Sequence, residues 1–292
     1  MTNIITLVAG ERAPPITNEL VNEVRDQLSA GEPTWLAEGF ACDLPSQVDL
    51  EHLQKLARNS DASKVLDIFV QPRTNRRKRL LLADMDSTIV TGETLDELAK
   101  YAGLKEKISE ITAKAMRGEL DFESALHARV SMLKGLSEDA LQRTWQEIQL
   151  TAGARELVQT MSANGAHCIL ISGGFSFFTD RVAKKVGFHE AFANQLLIEE
   201  GHLTGLVQQP ILDKNAKLTT LEKTILKLNI DRSVFFSKEK TAYDIPMITA
   251  AGIGVAFHAK PLVEKHAPAI VRFGDLTTLL YMQGFKKHEF CR

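Results

Sequence analysis

LLADMDSTIVTGETLDELA, residues 81–99, holds the decisive reading of this 292-residue chain. Leu80–Ala83 is a continuous apolar run that stops at Asp84, the pattern of a strand buried on both faces of a parallel sheet. Similar runs recur at 167–172, 234–236, 252–257 and 270–273, and helical spacing fills several of the gaps, at 154–162, 176–185 and 218–227. Strands alternating with helices predict an α/β fold built on a doubly wound parallel sheet. In such sheets the ligand sits outside the carboxyl ends of the strands. Asp84, Ser172 and the region just past Phe236 fall there.

Asp84 and Asp86 are two carboxylates one residue apart at a strand end. One can attack an electrophile such as phosphorus and form an aspartyl-phosphate. The other can protonate the leaving oxygen and then take a proton from water. Both need a divalent cation to tolerate their mutual repulsion and a phosphate's charge. The competing reading is a turn with capping Asp and Ser residues, and a bare DxD would favour it; DxDST ending a buried strand favours the chemistry.

Downstream of this motif, residues 94–150 carry helical stripes and no strand signal. Thr94-Leu95-Asp96-Glu97 reads as a capping box. Leu95, Leu98, Ala99 and Ala102 begin one stripe, Ile108, Ile111, Thr112 and Ala115 repeat it, and Phe122, Ala125, Leu126, Arg129 and Leu133 form another. The expectation is a helical cap insert, residues 93–150, rooted in the first β-to-α loop and placed to close over the site. Upstream, residues 71–79 are polar, contain Pro72 and carry five positive charges. They read as a solvated linker, with a basic binding patch as the alternative. Before them a βαβαβ pattern is legible, with strands at 4–9, 34–42 and 65–70 and helices at 16–28 and 50–57. The division expected is a small α+β domain over 1–72, a core over 73–92 and 151–292, and the cap between.

Composition narrows the function classes. Thirty-five Lys and Arg against 37 Asp and Glu give a formal charge of −2, so bulk-charge binding of nucleic acid is not expected. The longest apolar runs fall far below the ~20 residues of a membrane span. The opening MTNIITLVAGERAPP lacks a basic start and reads poorly as a signal peptide. Three cysteines without CxxC spacing exclude a disulfide framework and a cysteine-rich zinc site, and suggest a reducing, cytoplasmic setting.

Three further features stay open from the residues alone. Ser172-Gly173-Gly174 ends a strand before a helix, which suits an anion but is also a common loop. Lys217 opens a helical pattern, where a lysine is ordinarily a solvated charge. Arg129 lies on an apolar stripe, so it is either a fork of donors for a carboxylate or a snorkelling rim residue.

LLADMDSTIVTGETLDELA, LISGGF (170–175), AKLTTL (216–221) and DIPMITAAGIGVAFHAKP (244–261) together resemble the phosphoserine phosphatases of the haloacid dehalogenase superfamily, over roughly residues 80–285. The resemblance implies hydrolysis of O-phosphoserine with Asp84 as nucleophile and Asp86 as general acid and base. It implies that Ser172, Gly173 and Lys217 hold the transferring phosphoryl group and that Arg129 takes the substrate carboxylate. Glu93 would lie near the amino group, although alone it reads as a helix-start carboxylate. Met116 and Phe122 match apolar positions around the substrate, and either is also a plausible core residue. Mg²⁺ is implied as cofactor, on Asp84, Asp86 and a third carboxylate. The first 70 residues resemble, more loosely, an ACT-like module, which implies amino-acid sensing or homodimerisation.

One window departs from the family. Its fourth motif reads Gly-Asp-Gly-Ala-Asn-Asp, and here the matching stretch is Glu239-Lys240-Thr241-Ala242-Tyr243-Asp244. The metal-binding Asp aligns with Lys240 and the substrate-contacting Asn with Tyr243, leaving Asp244 as a substitute or outer ligand. An ammonium ~4 Å from a dication at an effective dielectric of ~20 is opposed by roughly 8 kcal/mol, an upper bound because the stem can swing away. This window motivates one alternative to a phosphoserine phosphatase, a catalytically silenced relative that binds phosphoserine or phosphate; the other is a related phosphatase or phosphotransferase acting on another small phosphomonoester.

Overall fold

The computed structural model describes residues 2–10, 13–117, 119–229, 234–237 and 253–291, with 116, 214–217, 221 and 234–237 described by backbone alone. The N-terminal unit runs β1 (Asn3–Ala9), α1 (Asn18–Leu28), β2 (Thr34–Ala37), β3 (Ala41–Ser46), α2 (Leu50–Asn59) and β4 (Leu66–Pro72). Its antiparallel sheet has the order β2-β3-β1-β4. The expected strand at 34–42 is in fact a hairpin. Gly39, at φ +65°, takes the left-handed conformation that turns the chain, and Phe40 N–H closes on Ala37 O at 3.0 Å. The element order is thus βαββαβ rather than βαβαβ.

β5 (Leu80–Ala83) lies inside a six-stranded, wholly parallel sheet with β6 (His167–Phe175), β7 (Glu190–Asn194), β10 (Val234–Ser237), β11 (Ile253–Phe257) and β12 (Ala269–Val271), in the order β12-β11-β10-β5-β6-β7. Two-sided burial explains the unbroken apolar runs. Leu81, Ala83, Cys168 and Leu170 face one hydrophobic cluster, and Leu80, Leu82, Ile169 and Ile171 face the other. Helices α7 (Ala154–Ala163), α8 (Ser176–Val186) and α9 (Lys214–Leu228) join the strands. Burial pushes the Cys42 and Cys168 thiols up to about 12, so they pack as small apolar groups rather than serve as nucleophiles.

The insert holds α3 (Thr94–Lys100), α4 (Lys105–Met116), α5 (Phe122–Ser131) and α6 (Asp139–Glu147). It leaves and re-enters the core through a two-strand crossing: Val90 bridges Leu150, Thr91 N–H bonds Gln149 O at 3.0 Å and Thr151 N–H bonds Ile89 O at 2.9 Å. A hairpin from the core, β8 (Leu196–Glu199) and β9 (His202–Val207), reaches up to it. Gly135 N–H bonds Leu203 O at 2.8 Å, Leu203 N–H bonds Leu136 O at 2.9 Å and Glu138 N–H bonds Gly201 O at 2.9 Å. Gly205, at φ +81°, lets the strand lie against Lys134, where a β-carbon would come within 2.9 Å.

The segment at 71–79 is not simply a solvated linker. Arg76 is largely buried, donating from Nη1 to Asp43 Oδ2 at 2.6 Å and from Nη2 to Asp43 Oδ1 and Thr6 Oγ1 at 2.9 Å and to Met282 O at 3.2 Å. Arg77 stacks on Phe285 at 4.0 Å. The physical reason is that the N-terminal sheet packs its second face, through Val8, Leu36 and Phe69, into the same cluster as the terminal helix Thr278–Met282, so Arg76 is caught between them. Asp67 completes the junction by accepting from the backbone N–H groups of Arg272, Phe273 and Gly274. Arg76→Ala should destabilise the chain by roughly 3–5 kcal/mol in urea unfolding, because it leaves Asp43 buried and unpaired. A loss below about 1 kcal/mol, the size for an exposed pair, would return Arg76 to the linker reading.

Candidate active site

The sheet register decides where the chemistry lies. Ala83 pairs with Leu170 on one side and Phe236 on the other, so Asp84 emerges beside Ile171 and Ser172 at the carboxyl edge. Asp84 is extended (φ −75°, ψ 155°) and only 4% exposed. Asp86 is extended too, and Ser87 then turns left-handed at φ +55°. This is costly for a residue with a β-carbon, and it is held by two bonds. Ser87 N–H donates to Gly92 O at 3.0 Å, and Ser87 Oγ donates to Glu93 Oε1 at 2.8 Å. The reversal turns the following chain back, so that Gly92 and Glu93 come against Ser87 and the Thr94 N–H against Asp86.

Its carboxylate is gripped at both oxygens. Thr94 N–H donates to Asp86 Oδ1 at 2.7 Å, and Ser172 Oγ donates to Asp86 Oδ2 at 3.2 Å. Gly174 N–H donates to Ser172 Oγ at 2.9 Å. The capping box expected at Thr94 does not form, since α3 starts at Thr94 with Glu93 in the cap position and no side-chain cap bond. The Thr94 N–H is directed to Asp86 instead, and Thr94 Oγ1 is buried without a hydrogen-bond partner among the described residues.

The two glycines after Ser172 are needed for closeness. A β-carbon on Gly173 would come within 2.9 Å of Phe122 Cζ, and one on Gly174 within 2.9 Å of Asp86 Oδ2 and 3.1 Å of Ser172 Oγ. Phe122, the first residue of α5, therefore seats its ring on Gly173. Arg129, two turns further along α5, donates from Nε to Ala125 O at 3.0 Å and from Nη1 to Thr112 Oγ1 at 3.2 Å. Burial lowers its pKa from the ordinary guanidinium value, while the charges of Asp96, Glu93 and Asp86 act the other way.

The structure therefore gathers Asp84, Asp86, Glu93, Phe122, Arg129, Ser172 and Gly173 between the sheet edge and the cap. Lys217 lies in the first turns of α9 and Met116 ends α4; the side chains of both lie outside the description. Lys240, Tyr243 and Asp244 lie outside the described residues. Two neighbours escaped the sequence reading as site residues, Thr94 and Thr112; Gly174 stood in the SGG stretch, but its contact with Asp86 was not read there.

Two oxygens from Asp84 and Asp86 are the hard donors that a small divalent cation takes. Among the described residues no group of three His, Cys, Asp or Glu side chains forms a metal cluster. None of the described helices is long and apolar enough to cross a membrane.

Residues 81–248 match the family model of haloacid dehalogenase-like hydrolases. The chain is 40% identical over 242 residues to a phosphoserine phosphatase of Archaeoglobus fulgidus, covering 82% of this chain and 70% of that one. It spans 60% to 70% of the length of the longer curated relatives it matches. A substrate-bound phosphoserine phosphatase complex superposes with a TM-score of 0.66 at 37% identity, over 70% of this chain and 97% of that one. A haloacid dehalogenase family hydrolase from Salmonella enterica serovar Typhi superposes with a TM-score of 0.85 at 25% identity, over 96% of this chain and 98% of that one.

Gly174→Ala should lower kcat about tenfold, because the added β-carbon would come within 2.9 Å of Asp86 Oδ2 and push that reacting group aside by about half an ångström, with little change in thermal midpoint. A kcat within about twofold of the parent would show that Asp86 does not depend on this contact.

Proposed function

The chain belongs to the phosphoserine phosphatases of the haloacid dehalogenase-like hydrolases, and we propose that it hydrolyses O-phospho-L-serine to serine and phosphate. The observation that carries the reading is the Asp86 carboxylate, held at both oxygens beside Asp84 and under the Arg129-bearing cap. Asp84 attacks phosphorus in line as the P–O bond to serine breaks, and protonated Asp86 gives its proton to the seryl oxygen. Asp86 then takes a proton from water, which attacks the aspartyl-phosphate and releases phosphate with Asp84 regenerated. Ser172, Gly173 and Lys217 hold the phosphoryl oxygens, a task mainly of positioning and charge. Arg129 takes the substrate carboxylate, Glu93 the ammonium, and Met116 and Phe122 close the apolar sides.

Mg²⁺ suits the oxygen donors here. Asp84 through its side chain and Asp86 through its carbonyl would hold the ion, with Asp244 as a further candidate. Bound there, it supplies charge neutralisation for the phosphoryl group. The similarity to catalytic relatives favours the active reading over a silenced one, which rests on Lys240 and Tyr243. The N-terminal unit reads as an ACT-like module over 1–72, supported by its βαββαβ order, with amino-acid sensing or homodimerisation as its role. The core would comprise 73–92 and 151–292, with 93–150 as the cap, in a cytoplasmic protein.

Phosphate release from O-phospho-L-serine, titrated with Mg²⁺, tests the reading. Magnesium-dependent turnover is expected, abolished by Asp84→Asn, which removes the nucleophile. Turnover only after Lys240→Asp with Tyr243→Asn would instead identify a silenced phosphatase. Equal turnover of phosphomonoesters with and without the seryl carboxylate would make it a phosphatase of another class of substrate.

A further inference from the structure

We propose that Asp96, acting through Thr112, is the positioning residue that keeps Arg129 aimed at the substrate carboxylate while leaving part of its fork unoccupied; this rests on the reading of Arg129 given above. A guanidinium drawn out of water needs a counter-charge. The usual remedy is a bidentate carboxylate, which would fill the donor pairs that a substrate carboxylate requires. The cap solves this differently. Among the described residues Arg129 makes two hydrogen bonds, Nε to Ala125 O on its own helix and Nη1 to Thr112 Oγ1, and neither partner is a carboxylate. Nη2 makes no hydrogen bond among the described residues.

The counter-charge stands one residue further back. Thr112 Oγ1 lies 3.0 Å from Asp96 Oδ1 and 3.0 Å from Ile108 O, so its single proton is shared between two acceptors while its lone pairs receive Arg129. Ser109 Oγ donates to the other carboxylate oxygen, Asp96 Oδ2, at 2.6 Å. Asp96 thus has both oxygens tied within the cap. Of the carboxylates that act on Arg129 it exerts the largest effect, ahead of Glu93 and Asp86. The relay crosses three cap helices: Asp96 on α3, Ser109 and Thr112 on α4, and Arg129 on α5. A neutral hydroxyl between the charges fixes one edge of the guanidinium without competing for the other.

Steady-state kinetics with two phosphomonoesters test this: O-phospho-L-serine, and O-phosphoethanolamine, which keeps the phosphate and amine but lacks the carboxylate. If the second is not hydrolysed, its inhibition constant against the first replaces its KM. Asp96→Asn should raise KM for phosphoserine about tenfold, the effect of weakening one charge-assisted contact. It should leave kcat within about threefold and the phosphoethanolamine constant within about twofold. Thr112→Val should reproduce this pattern, and Thr112→Ser, which restores the hydroxyl, should reverse it. Equal losses on both substrates, or a serine variant no better than the valine one, would reduce the relay to a structural role and overturn the inference. Arg129→Ala separates the carboxylate contact of Arg129 from the relay behind it. If it affects both substrates alike, the carboxylate assignment of Arg129 falls and the inference falls with it. If it is selective for phosphoserine but Asp96→Asn and Thr112→Val are not, only the Asp96 inference falls.

Discussion

The Asp86 carboxylate is the point where three separate parts of the chain meet. Its own loop follows β5, one oxygen is held by the backbone at the start of the cap, and the other by a hydroxyl at the end of β6. The backbone bond is the closer of the two, 2.7 Å against 3.2 Å for the hydroxyl, and together they tie the loop, the cap and the neighbouring strand to one another. The left-handed Ser87 follows from this requirement. Without that reversal the chain after Asp86 would not come back to bring the Thr94 N–H against its carboxylate, and the bonds from Ser87 to Gly92 and Glu93 offset the strain. The glycines after Ser172 follow from it as well, since side chains there would occupy the space that Asp86 and Phe122 take.

The parallel sheet supplies the rigidity that makes such placement reproducible. β5, β6 and β11 are packed on both faces, so a shift in register would move apolar side chains between two different clusters. The N-terminal unit is joined to this frame by polar contacts as well as by packing. Asp67 gathers three consecutive backbone N–H groups after β12, and Arg76 ties β1 and β3 to the terminal helix. A unit joined this way sits as a fixed abutment to the core.

Much of the frame was legible because buried parallel strands have a distinctive composition. Asp84 and Ser172 were locatable as the first polar residues after apolar runs, and the cap helices through their i, i+3, i+4 spacing. β7 was not, because Glu190–Asn194 is a half-buried edge with no apolar run. The β8–β9 hairpin was also missed, although Glu200-Gly201, both at positive φ, is the turn chemistry that closes it. The Asp86 grip was only half readable. Ser172 lay on a recognisable strand end, but Thr94 contributes a backbone N–H, and sequence carries no mark of where a main-chain donor will point. Arg76 was misjudged for a related reason: a run of charges reads as solvated unless tertiary packing happens to enclose one of them. The placement of Arg129 through Thr112 depends on contacts between helices far apart in sequence, which periodicity on any one helix does not reveal.

The hairpin of β8 and β9 has a consequence for modularity. Gly201 accepts from, and Leu203 both donates to and accepts from, the loop that follows α5, so the cap is sewn to the core at its far side as well as at the 89–91 and 149–151 crossing. The boundary drawn by sequence order, one contiguous insert, is therefore not the boundary drawn by bonding. A chimera that exchanged residues 93–150 with those of a relative would carry half of a seam. To be grafted as a working unit, the cap must travel with a hairpin that the chain does not reach until some fifty residues after the cap has ended.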